Sequence, residues 1–410
     1  MTYRIVLLLF AVTVTLGHAA AVPLREPSAD PRDFEGVWVA RGGAHFADGL
    51  PALAVEADAG SCAPEQRLSG ADDGGTSLWV MGEKIVLMLS EEGMNARRIY
   101  LSADHPDATA PEVTGQSVGH WDGDTLVVET MSGGQRVIER ITRVKAGGIW
   151  QLHTDGQVIA SGRRRQFEST QVWRPDVHLY EDVCEERLEP VKLSNGVLSA
   201  PQLGQLVPGS GTAPAPKVDL TGPWQLATAT PALKTLEGQL PPMRAETMMR
   251  FQVLHEKKSA TTSCLPPGVP RLSLQPFPWM IVQGKRYVVF VHEWNHLFRV
   301  VTMDGEHVEN MGRTFLGQST GQWADKALVV TTNGFNDRSV LDDSGLPHSP
   351  ALQTVERYKL SKGGNVLELD LTVADAFTYL KSWDTRLLFR KLPGTVLRDD
   401  YCLQRTGATH

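Results

Sequence analysis

The sequence predicts a mainly β protein made of two tandem antiparallel β-barrel domains that descend from one internal duplication. Three observations predict it. The chain repeats itself in register, short strand-like runs dominate both copies, and each copy carries one early and one late cysteine.

The repeat comes first because it divides the chain. At a constant spacing of 202 residues, Cys62 falls on Cys264, Gly82 on Gly284, Lys84 on Arg286, Glu91 on Glu293, Arg97 on Arg299 and His105 on His307. At the same spacing Gly115-Gln116-Ser117-Val118-Gly119-His120-Trp121 falls on Gly317-Gln318-Ser319-Thr320-Gly321-Gln322-Trp323. Further along, Glu139-Arg140 matches Glu356-Arg357 at 217, and Cys184 matches Cys402 at 218. The second copy therefore holds about fifteen extra residues between Trp323 and Glu356.

Four cysteines allow three pairings. The repeat favours one pair within each copy, Cys62–Cys184 and Cys264–Cys402. Disulfides are the expected state in an oxidising compartment, and the N-terminus points there. Arg4 precedes an uncharged apolar stretch, Ile5 to Leu16, that is too short to span a bilayer, and Ala19, Ala20 and Ala21 offer a cleavage site. The expected organisation is a signal peptide over 1–21, a first barrel over 22–200, a linker over 201–218 rich in proline and glycine, and a second barrel over 219–410. The expected location is the periplasm or outside the cell, with no transmembrane segment.

Strand-like runs recur at the repeat spacing. Lys84 to Leu89 matches Arg286 to Val291, and Thr125-Leu126-Val127-Val128 matches Ala327-Leu328-Val329-Val330. Leu367 to Val373 alternates with period two, the mark of a half-buried strand. Asp122-Gly123, Asp304-Gly305 and Gly363-Gly364 supply turns, and Met243 to Lys258 is the best helix candidate. Near the start of each copy stand Gly36-Val37-Trp38 and Gly222-Pro223-Trp224. A Gly-x-Trp on the first strand of such a barrel resembles the lipocalins, and the resemblance implies a calycin-like barrel with room inside for one small ligand.

The second copy also resembles a family of exported bacterial proteins to which no activity is attached. The likeness runs from Cys264-Leu265-Pro266-Pro267-Gly268 to Cys402 and includes Gly317-x-Ser319-x-Gly321-x-Trp323, Gly334-Phe335-Asn336-Asp337 and Gly345-x-Pro347-His348-Ser349. Ala351-Leu352, Glu356-Arg357, Asp375, Tyr379 and Trp383 complete it. Members of that family carry histidines two residues before and five residues after the Pro-His-Ser histidine. Here those positions are Leu346 and Gln353, so the resemblance carries no three-histidine site to this chain.

Two motifs invite catalytic readings that their contexts oppose. His292-Glu293-Trp294-Asn295-His296 matches the spacing of a zinc hydrolase helix, but strand-like runs flank it and a hairpin turn is expected instead. Gly317-Gln318-Ser319-Thr320-Gly321 has the spacing of a nucleophile elbow without the strand–turn–helix that an elbow needs.

The inserted segment Phe335 to Leu352 is the sharpest functional signal, since loops on a rigid β scaffold are where sites collect. The leading expectation is an exported protein that binds a largely apolar small molecule in the second barrel and transforms it by acid–base chemistry without a cofactor, such as isomerisation, hydration, elimination or cyclisation. His348 would move the proton, Asp337 or Asp342 would orient it, and Arg299 would stabilise developing negative charge, with Glu356 a further candidate in the barrel interior. Trp323, Phe335, Asn336 and Glu293 are the candidate ligand contacts. The alternatives are a non-catalytic carrier and a zinc hydrolase built on His292, Glu293 and His296. Recurrence of Glu293, Arg299, Glu356 and Arg357 in the copy without the insert favours a structural role for them. The net charge of −7, with 21% charged residues, supplies no basic field for nucleic acid, and no dinucleotide or phosphate loop is evident.

Overall fold

The structure, a computed structural model, describes residues 25–48, 75–101, 115–132, 134–183, 203–210, 213–229, 232–254 and 264–402. The signal peptide expected over 1–21, Cys62, Cys184 and His105 lie outside the described residues. The Cys62–Cys184 pairing therefore stays an expectation.

Among the described residues the first copy contributes ten strands: β1 (Gly36–Ala40), β2 (His45–Phe46), β3 (Thr76–Met81), β4 (Ile85–Ser90), β5 (Asn95–Tyr100), β6 (Gln116–Asp122), β7 (Thr125–Ser132), β8 (Gln135–Ala146), β9 (Ile149–Ala160) and β10 (Arg163–Trp173). Nine close into a barrel because β1 pairs with both β3 and β10, while β2 adds to the edge of β10. β11 (Leu203–Val207) follows. The second barrel is built from β12 (Gly222–Leu226), β13 (Trp279–Gln283), β14 (Tyr287–His292), β15 (Phe298–Thr302), β17 (Gln318–Ala324), β18 (Ala327–Asn333), β19 (Gln353–Ser361), β20 (Val366–Ala374) and β21 (Trp383–Lys391). β16 (His307–Met311) stands outside it and pairs with β11.

The duplication is written into the strand register. Each barrel is antiparallel except for one parallel pair, Ile99 opposite Ser117 in the first and Val301 opposite Ser319 in the second. Those pairs occupy the same repeat positions. Trp38 and Trp224 occupy equivalent first-strand places. Each indole N–H donates to the carbonyl four residues back, Phe34 O at 2.8 Å and Leu220 O at 3.0 Å. The aromatic ring fills the barrel while its one polar atom is satisfied locally.

Two expectations change in detail. The segment read as a linker is partly a strand, since β11 lies within it and Ser210 N–H donates to Asp304 O. The helix expected over Met243 to Lys258 is shorter, Ala245–Leu254. The interior of the second barrel is filled in part by large rings. Trp224, Trp279, Phe290, Tyr358 and Phe389 are fully buried in it, with Trp279 5.0 Å from Phe389 and Phe290 5.2 Å from Tyr358 between ring centres. Interiors packed by large side chains leave little free volume. Cys264 and Cys402 form the expected disulfide, with Cα atoms 5.4 Å apart.

The barrels dock through equivalent surfaces. A Cβ placed on Gly82 would lie 2.9 Å from Val282, and one on Gly284 would lie 2.8 Å from Val80. Val80 and Val282 are themselves repeat partners, so the contact is self-complementary, as in a two-fold dimer. Both glycines recur because no side chain fits there.

Glu35 sits in this interface. Its carboxylate accepts main-chain N–H groups from Met81 of its own barrel and from Lys285 and Arg286 of the other. Burial outweighs these bonds and raises its pKa to about 7. An acid with a raised folded pKa stabilises the fold most below its unfolded pKa, and that contribution is lost as pH rises through the folded value. Stability against urea should therefore fall between about pH 5 and pH 8, and Glu35→Gln should flatten that fall. Parallel pH profiles for the two proteins would contradict this assignment.

Candidate functional site

The recurring charged residues form one polar network per barrel. Arg299 donates from Nε to Ser319 Oγ at 2.8 Å, from Nη2 to Thr332 Oγ1 at 2.6 Å and from Nη1 to Glu356 Oε1 at 3.1 Å. Tyr358 O–H donates to Glu356 Oε1 at 2.7 Å. In the first barrel Arg97 repeats the pattern on Ser117, Thr130 and Glu139. All these groups are buried, so each ion pair stands on its own hydrogen bonds rather than on solvent. Arg299 and Glu356 are thus a structural pair, and the barrel that lacks the insert keeps it.

Glu293 is likewise structural. Its carboxylate accepts Arg398 N–H at 2.9 Å, and its repeat partner Glu91 accepts Tyr180 N–H. Each glutamate ties down the segment leading to its copy's last cysteine. The neighbouring turn repeats the device: Asp182 accepts Gly93 N–H, and Asp400 accepts Asn295 N–H.

The HExxH spacing lies on a strand and a turn, as expected. Asn295 and His296 both have φ of +47°, which no α-helix allows. His292 ends β14 inside the barrel, stacked on Trp279, and burial lowers its pKa to about 3, so it is neutral. His296 points the other way, its Nε2 3.1 Å from Gly93 O of the first barrel. Among the described residues no group of three acidic, histidine or cysteine side chains is placed to hold a metal. Ser319 of the GQSTG string lies on β17 with its Oγ committed to Arg299 and Thr332.

The insert joins β18 to β19 across one end of the second barrel. The first copy makes the same connection with a short turn at Gly134, between paired Ser132 and Gln135. Its residues are used differently from what their chemistry implies. His348 is buried, with Nε2 3.0 Å from Ser339 Oγ and Nδ1 3.2 Å from Ser349 O, and burial pushes its pKa down. Asp342 is fully buried and accepts from Leu233 N, Ser344 N, Ser344 Oγ and Leu346 N. Asp337 is exposed and acts on His348 as a nearby negative charge that opposes, without overcoming, the effect of burial. Asn336 caps a local turn through Arg338 N, Phe335 packs edge-on to the His348 ring, and half-buried Trp323 packs against the main core. The insert therefore closes a barrel end. His348→Ala, which strands Ser339 Oγ beneath Gly268, should cost about 1–3 kcal/mol in urea unfolding. An unchanged midpoint would restore His348 as a free functional group.

A cavity lies elsewhere, between the barrels. It measures about 130 Å³ and has mainly apolar walls, including Val37 and Leu78 of the first barrel, Leu179 from its tail, and Phe298, Met311 and Leu316 of the second copy. Glu181 holds the tail in place, accepting Phe315 N–H at 2.8 Å and Leu316 N–H at 2.9 Å. Of the proposed catalytic and ligand-contact residues, Arg299 reaches its wall, as does Ser319 of the GQSTG string. Trp323, Phe335, Asn336, Asp337, Asp342, His348 and Glu293 do not. The sequence signal that could have pointed here is the repeat itself: two equal copies must meet, and their meeting surfaces are not visible to either copy's periodicity.

No family model and no curated protein matches the chain. Among solved structures, a candidate thioesterase II from Thermobifida fusca YX aligns over 80% of this chain and 98% of its own at 10% identity, with a TM-score of 0.10. A likeness at that score carries no argument about fold or activity. No helix among the described residues is long and apolar enough to cross a membrane.

Proposed function

We propose that the protein is an exported binder of a compact, largely apolar small molecule, which it holds between its two barrels. The observation that supports this reading is the inter-barrel cavity, with walls drawn from both copies. Concave apolar sites between domains are common places for small ligands. Binding is preferred over acid–base catalysis because Arg299, Glu356, Asp342 and His348 are each engaged inside the protein. Of the four, only Arg299 reaches the cavity, and its guanidinium is committed to Glu356.

Toluene is a suitable probe because it matches the apolar wall and offers no hydrogen bond. Saturable toluene binding is expected by ligand-observed NMR. Leu179→Trp should abolish it by filling the cavity from the tail, where half-buried Leu179 leaves room for the larger ring to be accepted. Saturable binding that survives Leu179→Trp with unchanged affinity would move the site away from this cavity.

A further inference from the structure

We infer that the inter-barrel cavity takes a neutral ring molecule bearing one hydroxyl group, and that His178 holds the hydroxyl by a hydrogen bond. This deepens the binding reading above and rests on it.

The inference starts from which polar groups in the wall are already engaged. Glu181 accepts two main-chain N–H groups. Tyr287 O–H donates to Glu306, and Arg286 donates to both of them. Thr302 Oγ1 donates to Glu306 O. Gln318 exchanges two bonds with the main chain of Val308, and Thr314 Oγ1 accepts Gly317 N–H. His178 differs. Its Nε2 is buried and has no hydrogen-bond partner among the described residues, while its ring is fixed against Tyr180 at 4.0 Å between centres. A buried polar atom without a partner costs free energy, so it marks where a ligand atom is wanted.

Charge and size narrow the ligand. Glu181 and Glu306 stand in the wall, and the one arginine there, Arg299, is committed to Glu356. A carboxylate would meet two acids and no free cation. Burial lowers the His178 pKa to about 4, so the imidazole is neutral near pH 7 and supplies one hydrogen bond without a charge. The volume of about 130 Å³ is near the roughly 150 Å³ of a cavity that holds benzene, so one six-membered ring fits.

The test compares toluene, phenol and benzoate on the full chain at pH 7, with wild-type protein and two variants. Phenol should bind wild type about three- to tenfold tighter than toluene, and benzoate should bind weakest. His178→Phe should erase the advantage of phenol while toluene still binds. His178→Gln, which keeps a polar group, should restore part of it. A phenol advantage that persists in His178→Phe, or benzoate binding as tightly as phenol, would overturn the inference while leaving the cavity as a binding site. Failure of both toluene and phenol to bind saturably would overturn the binding reading and this inference with it.

Discussion

Glu356→Gln is expected to destabilise the protein by about 3–5 kcal/mol in urea unfolding. The amide keeps the size of the carboxyl but leaves the Arg299 guanidinium charged and uncompensated in the barrel interior. Its remaining partners, Ser319 and Thr332, are neutral hydroxyls, and Tyr358 loses a charged acceptor. Removing both charges together, as Arg299→Met with Glu356→Leu, should recover most of the loss, because the desolvation cost disappears with the pair. The first barrel offers an internal control. Glu139→Gln should act in the same direction through Arg97, although no insert covers that barrel. A cost below about 1 kcal/mol for Glu356→Gln would mean that solvent reaches the pair, and would return Arg299 and Glu356 to the list of groups free for chemistry.

Loss of the Cys264–Cys402 disulfide is the second large effect. The bond closes a loop with a sequence separation of 138, for which the chain-entropy argument gives about 5 kcal/mol. Replacing both cysteines by serine should lower stability by about 4–5 kcal/mol. The consequence should also reach the first barrel. Arg98 there donates to Leu397 O at 3.2 Å and pairs with Asp399 at 3.0 Å, both on the tail that Cys402 anchors. Freed of its disulfide, that tail keeps its contacts to Glu293, Asn295, His296 and Arg98 but loses its covalent anchor. Hydrogen exchange should then rise in residues 397–402 and in β5, where Arg98 sits, before the core strands of the second barrel. Identical unfolding midpoints for oxidised and reduced protein would contradict this role.

Much of the fold was legible because its signals are local or periodic. The alternation of Leu367, Leu369, Leu371 and Val373 reports one buried face, and the structure buries all four. The repeat carried the second barrel's strands onto the first. It also weighed toward a structural role for Arg299 and Glu356, which recur where the insert does not, although both still stood as catalytic candidates. The site was less legible. His348 sits in a polar, glycine- and proline-containing stretch that reads as an exposed loop. It is buried because residues far along the chain pull the loop down: Asp375 accepts from Ser349 N and Oγ, and Tyr379 O–H donates to Pro347 O. Glu293 looked like a candidate contact because its partner, Arg398 N–H, is a main-chain group that leaves no mark in side-chain pattern. The cavity could not be read at all, since Leu179 and Leu316 become neighbours only when two barrels dock.

The most direct test of the account is diffraction from crystals of the full chain exposed to bromobenzene, with data collected at the bromine absorption edge. The account predicts one anomalous peak between the barrels, bounded by Leu179, Phe298 and Leu316. A peak inside the second barrel beneath the insert, among Trp279, Leu371 and Trp383, would contradict it and return the ligand to the barrel interior.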